Sequence, residues 1–311
     1  MKMKEAINGF LDQLRFDPVI ENKKRLKKAK DSLVCGMGGS HLAADLAGIP
    51  AHSDYGLPKQ DLKKKLIILS SYSGNTEEAL DSFKEALSKK LSSACISIGG
   101  KLLESAEKHS IPYIKMPDTG INPRSALGFS AISLLKILGR EKDIEEIKNA
   151  ADSISMQEAE SEGKELAKKL KNRIPVIYSS LKNASLAYNW KIKFNENSKI
   201  PAFSNSFPEL NHNELVGLEN RDLSDRFYFI FLEDREDHPR NLLRMKITKE
   251  ILEKKNLPVE VLKLKEVPFW EKIFSSILIA DWASFYLAEY YNQDVGETRI
   301  ISELKDSLGK L

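Results

Sequence analysis

The chain has 311 residues, 41% of them hydrophobic, a length that suits two domains of ordinary size, each with its own core. Charged residues reach 30%, yet 48 Lys plus Arg against 45 Asp plus Glu leave a formal charge of +3, which argues against a dedicated nucleic-acid binder. No stretch approaches the roughly 20 apolar residues of a membrane span, and "MKMKEAINGFLDQLRF" at the start lacks the apolar core of a signal peptide, so a soluble cytoplasmic protein with no membrane partner is expected.

The lysines of "ENKKRLKKAKD" and "LKKKL" read most simply as solvated helix faces or strand flanks rather than as a polyanion site. Apolar runs at 32–37, 65–71, 93–99 and 111–116 predict strands, with "NTEEALDSFKEALSKK" and "KLLESAEKHS" as helices between them. Cys35 and Cys95 lie inside two of these runs, outside any CxxC pair, and are expected to be buried thiols in a reducing compartment. A charged helical stretch from about 140 to 172 carries the expected domain boundary, giving domains 1–150 and 151–311. The second half restarts the pattern with strands at 174–180, 200–206, 226–234 and 257–265, then a long apolar helix over "EKIFSSILIADWASFYLAEYYNQD". Trp190, Trp270 and Trp282 fall in helical runs and are expected in the core. Strands alternating with helices predict an α/β fold with parallel sheets covered by helices on both faces.

Ligands of such sheets bind beyond the carboxyl ends of the strands. Two strand-to-helix turns stand out there, "CGMGGSHLAADL" and "SSYSGNTEEAL". Glycine lets the backbone approach a ligand, serine and threonine hydroxyls donate to phosphate oxygens, and free N–H groups at a helix start favour an anion. Neither turn has the GxxxxGK[ST] form of a nucleotide loop or a clean GxGxxG, so a monophosphate is expected rather than ATP or NAD. A single hydroxyl before a helix is ordinarily a cap. Five of them, Ser40, Ser70, Ser71, Ser73 and Thr76, over two turns favour a ligand. In the second half Glu196 stands between two asparagines, and His212 does so in "ELNHNE", a segment read as loop. A carboxylate and an imidazole are the usual carriers of protons near neutral pH, although either one alone reads as an ordinary surface residue. The histidines show no metal-ligand spacing, and no metal site is expected.

Together "GMGGS", "SYSGNTEE", "NPRSALG", "NENSKIPAFSNSFPELNHNE" and "YLAEYYNQDVGETRIISELK" resemble the bifunctional phosphoglucose/phosphomannose isomerase family, over almost the whole chain and in order. The resemblance implies two flavodoxin-like sugar isomerase (SIS) domains, the first holding the phosphate turns and the second the catalytic Glu and His. It implies that Ser40, Ser71, Ser73 and Thr76 bind the 6-phosphate of the sugar, and that Glu196 moves a proton between C1 and C2 through an enediolate. Arg124 would stabilise that intermediate. His212, supplied across a homodimer interface, and Lys305 would open the sugar ring, while Thr298 would leave room for the mannose epimer. No cofactor is implied. Ser70 is the hydroxyl expected to be structural. The chain departs from the family at His41, where a further glycine is usual, and at "DVGET", where "DP-x-P" is usual. Another SIS isomerase of an aminosugar or pentose phosphate, or a non-catalytic sugar-phosphate-binding regulator, would share the hydroxyl turn.

Overall fold

The computed structural model describes residues 2–296 and 299–308, with Lys2, Lys305 and Asp306 described through their backbone alone. The chain divides into two compact units, Asn8–Ile154 and Ser155–Leu311 with the amino-terminal Met1–Ile7. The charged stretch at this division is two helices, Glu141–Ser153 and Met156–Lys169. They are interrupted where Ile154 turns extended and the Ser155 hydroxyl caps the second helix by accepting the Glu158 N–H at 3.2 Å.

The first unit holds five parallel strands, β1 (Asp31–Cys35), β2 (Ala51–His52), β3 (Lys65–Ser70), β4 (Ser93–Ser97) and β5 (Tyr113–Lys115), in the order β2-β1-β3-β4-β5. The two-residue β2 is invisible to a sequence pattern, because it is too short to show a period. Leu33, Cys35, Ile67, Leu69 and Cys95 point to one face, where Phe83, Ala86, Leu102, Leu103 and Ala106 of the helices Glu77–Ser88 and Gly100–Lys108 cover them. Val34, Ile68, Ala94 and Ile96 alternate to the other face and are equally buried, as a parallel sheet covered on both sides requires. Burial raises the Cys35 thiol to about 12 and pushes Cys95 up as well, so both stay protonated packing groups.

The second unit holds β6 (Ile174–Ser180), β7 (Phe203–Phe207), β8 (Phe227–Glu233) and β9 (Val259–Lys263), all parallel, in the order β7-β6-β8-β9. Val176, Tyr178, Phe207, Phe229 and Phe231 form one core face with Met245 and Leu252 of the helix Pro239–Lys254. The apolar helix Phe269–Tyr290 packs against Met156–Lys169 and against Ala184–Glu196, and Trp190, Trp270 and Trp282 are fully buried. Among the described residues no helix is long and apolar enough to cross a membrane.

Each sheet reverses its strand order once, between β1 and β3 in the first unit and between β6 and β8 in the second. At such a reversal the flanking crossover connections run in opposite directions, which opens a crevice beyond the carboxyl ends of the strands. The first order is the flavodoxin-like one that serves as a standard example of the rule.

Candidate active site

At the β1/β3 reversal the two hydroxyl-bearing turns meet. Gly36, at the end of β1, lies so close to β3 that a Cβ there would stand 2.6 Å from the Ser70 carbonyl oxygen. The chain then makes a tight turn over Gly38–Ser40, with Gly38 in the left-handed region at φ +51°. The Ser40 hydroxyl accepts the Tyr72 N–H at 3.0 Å, and the Ser70 hydroxyl donates to the Ser40 carbonyl at 2.6 Å. The buried Ser71 hydroxyl accepts the Gly74 N–H at 3.1 Å and shares a 2.9 Å hydrogen bond with the Thr76 hydroxyl. The exposed Ser73 hydroxyl accepts the Asn75 N–H at 3.2 Å. Thr76 stands at the N-cap of the 12-residue helix Glu77–Ser88, whose positive end adds to the field on an anion, against the opposing charges of Glu77 and Glu78 in its first turn.

Arg124 joins this group through its backbone. The turn Pro123–Ser125 lies against Gly38–Ser40 so tightly that a Cβ on Gly39 would sit 2.8 Å from the Arg124 nitrogen. Arg124 is 2% exposed, a depth at which a guanidinium has to be compensated. The structure thus gathers Ser40, Ser71, Ser73, Thr76 and Arg124 around one strand-order reversal. His41, the departure from the family pattern, turns its Nδ1 to Asp45 Oδ2 at 2.7 Å.

The corresponding reversal in the second unit is built of charges. The Ser180 hydroxyl, at the end of β6, donates to Asp237 Oδ1 at 2.5 Å, and Asn183 Nδ2 donates to Asp234 Oδ2 and Asp237 Oδ1, each at 3.3 Å. Lys272 reaches Asp234 at 3.1 Å from below 5% exposure. Burial pushes the Asp234 carboxyl up, but the Glu236 N–H, Lys272 and Asn183 outweigh it and hold the group below its usual range. Burial also pushes Asp237 up, and there it prevails. Lys182 also reaches Asp234, at 3.3 Å, so the groups at this second reversal are engaged in an internal ion and hydrogen-bond network, whereas the first carries a cluster of hydroxyls.

Glu196 ends the helix Ala184–Glu196 and is half-buried. Three residues earlier on the same helix, Lys193 pairs with Asp281 of Phe269–Tyr290 at 2.8 Å, with the two side chains 1% and 5% exposed. Just after Glu196, Asn197 Nδ2 donates to the Ser284 hydroxyl at 2.9 Å and the Ser198 hydroxyl to the Ser284 carbonyl at 2.7 Å. The chain on both sides of Glu196 is therefore bound to one neighbouring helix. Nothing in the sequence marks Lys193 as buried, because its partner is 88 residues away.

His212 lies in a helix, Leu210–Gly217, and the expectation of a loop is corrected. Asn211 and Asn213 are weak helix formers and suggest a loop. Leu210, Leu215 and Leu218 nevertheless place one face of the segment against the second core. Glu214 ties it down, accepting the Tyr178 hydroxyl at 2.6 Å and the Asn205 amide. Burial first, and then Glu214, push the Tyr178 hydroxyl up, so it remains the donor. His212 itself is exposed. Glu214, two places after His212 in the same motif, is a side chain that the sequence reading did not single out. Lys305 falls in the helix Arg299–Leu308, and Thr298 lies outside the described residues.

A glucosamine-6-phosphate deaminase from Thermotoga maritima superposes with a TM-score of 0.69 over 95% of each chain at 15% identity, so the two share a fold. The model of the bacterial phospho-glucose isomerase C-terminal SIS domain matches residues 159–308, which places that segment in the SIS-domain class. A bifunctional phosphoglucose/phosphomannose isomerase from Aquifex aeolicus is 34% identical over 98% of both chains. A second, from Caldicellulosiruptor bescii, is 36% identical over 90% of this chain and 89% of its own. The chain belongs to the bifunctional phosphoglucose/phosphomannose isomerase family.

Proposed function

We propose that this protein is an aldose-ketose isomerase that interconverts fructose 6-phosphate with glucose 6-phosphate and mannose 6-phosphate. The observation that carries the reading is the end-to-end relationship to a bifunctional relative, 98% of each chain at 34% identity. The hydroxyl cluster at the β1/β3 reversal supports a sugar phosphate as substrate. Ser40, Ser71, Ser73 and Thr76 grip the phosphate, and their interlocking hydrogen bonds hold the turn in shape before the ligand arrives, which lowers the ordering cost of binding. Lys305 and His212 assist ring opening, with His212 supplied by the partner in a homodimer. Thr298 leaves room at C2 for either epimer.

A proton on carbon next to a carbonyl is weakly acidic, so its removal needs a base held within hydrogen-bond reach and a positive group where the oxyanion forms. Glu196 is the base and Arg124 the positive group. The planar enediolate can be reprotonated at C2 on either face, and one base therefore serves both aldoses. The test is a coupled assay of the purified protein with fructose 6-phosphate that scores both products. Glu196→Gln keeps the shape of the side chain but removes its basicity, and is expected to lower both activities by about 10³-fold or more while phosphate binding persists. Substantial turnover by the variant would exclude the mechanism, and absence of both products with the unaltered protein would exclude the substrate assignment.

A further inference from the structure

The lysine run before β1 is neither a helix face nor absorbed by the reaction. Lys23–Arg25 forms a single 3-10 turn, and Leu26 onward is irregular chain leading into β1. Lys23, Lys24, Arg25, Lys27, Lys28 and Lys30 are all exposed, and among the described residues none of the six has a carboxylate partner, although Glu21 and Asp31 flank the run. The neighbouring surface is hollow. A cavity of about 580 Å³ is lined by Lys23, Lys27, Lys28 and Lys136 together with Ile20, Leu26, Leu66, Ile137 and Leu138. Glu141, the one carboxylate on its wall, is engaged by Lys136 at 3.2 Å. Ser32 and Leu66, at the starts of β1 and β3, line the cavity, so it opens at the amino ends of the strands, whereas Ser40 and Ser71 follow the carboxyl ends.

We infer that this cavity is a second ligand site, and that its ligand is a nucleoside polyphosphate, bound apart from the sugar-phosphate turns. The volume is within the range of small-molecule sites. Apolar lining residues take a flat base, and several lysines on flexible stems take a chain of phosphates as a set of point charges. One exposed lysine holds an anion weakly, so the arrangement favours a ligand with several charges over a monophosphate.

The probe is ATP without magnesium, titrated calorimetrically into the full-length protein at low salt and again at physiological salt. Saturable binding at one site per chain is expected, weakening as salt rises, with AMP weaker by about tenfold or more. The triple variant Lys23→Gln, Lys27→Gln, Lys28→Gln should lose about tenfold or more in ATP affinity and keep its isomerase activity. A control with the same charge change at exposed positions elsewhere, Lys84→Gln, Lys90→Gln, Lys108→Gln, should bind ATP as the unaltered protein does. The inference is overturned if ATP does not saturate, if both triple variants weaken alike, or if fructose 6-phosphate displaces ATP competitively.

Discussion

Ser71 has no exposed surface, and its hydroxyl is divided between the Gly74 N–H and the Thr76 hydroxyl. Its role in the proposed site is to hold the phosphate turn ready as much as to touch the ligand. Ser71→Ala is expected to raise KM for fructose 6-phosphate about tenfold and to change kcat little, because the phosphate is gripped equally in ground and transition states. Steady-state kinetics with both aldoses and the ketose check this, and a fall in kcat at constant KM would place Ser71 in the chemistry instead. Ser70, one residue earlier, donates to the Ser40 carbonyl and sets the distance between the two turns. The hydroxyl cluster was legible in the sequence because all of its members lie in two short segments. The bond from Tyr178 to Glu214 and the Lys193–Asp281 pair were not, because the partners lie in distant segments and each charged side chain alone reads as a surface charge.

Among the elements, the packing of Met156–Lys169 on Phe269–Tyr290 depends on Gly163. A Cβ there would lie 2.5 Å from the Trp282 Cβ and 2.8 Å from the Ala283 nitrogen. Alanine gains about 1 kcal/mol of helix propensity over glycine, yet these atoms are backbone or close to it and cannot step aside. Gly163→Ala is expected to be destabilising by about 1–3 kcal/mol, read as a lower urea midpoint at unchanged slope. An unchanged or higher midpoint would mean that the two helices separate at little cost. Strand periodicity predicted eight of the nine strands among the described residues and missed the two-residue β2, since most of these strands are apolar runs buried within their sheets. The short helix bearing His212 escaped, because its two asparagines disfavour a helix that only contact with the second core stabilises.

For the whole molecule, the proposed role of His212 makes activity a property of a pair of chains. His212 is exposed on its helix, where a second copy can reach it. In a symmetric dimer that shares its sites, a Glu196→Gln chain paired with a His212→Ala chain has one site with both residues intact and one with neither. Equal mixing and subunit exchange of the two impaired variants should therefore restore about a quarter of full activity, since half of the dimers are mixed and each has one working site of two. Activity no higher than the mean of the two variants would show that His212 serves its own chain.

The sequence by itself determined the α/β class, the strand-to-helix turns and the identity of their hydroxyls, because periodicity and turn chemistry act over a few residues. It also determined the family, because a full-length match carries its motifs in order. Tertiary structure alone decided that Asp234, Asp237 and Lys272 meet in one network at the second strand-order reversal, because the three come from segments far apart in the chain. It also decided that the lysines before β1 border a cavity, because a sequence shows a run of charge and only the fold shows the hollow beside it.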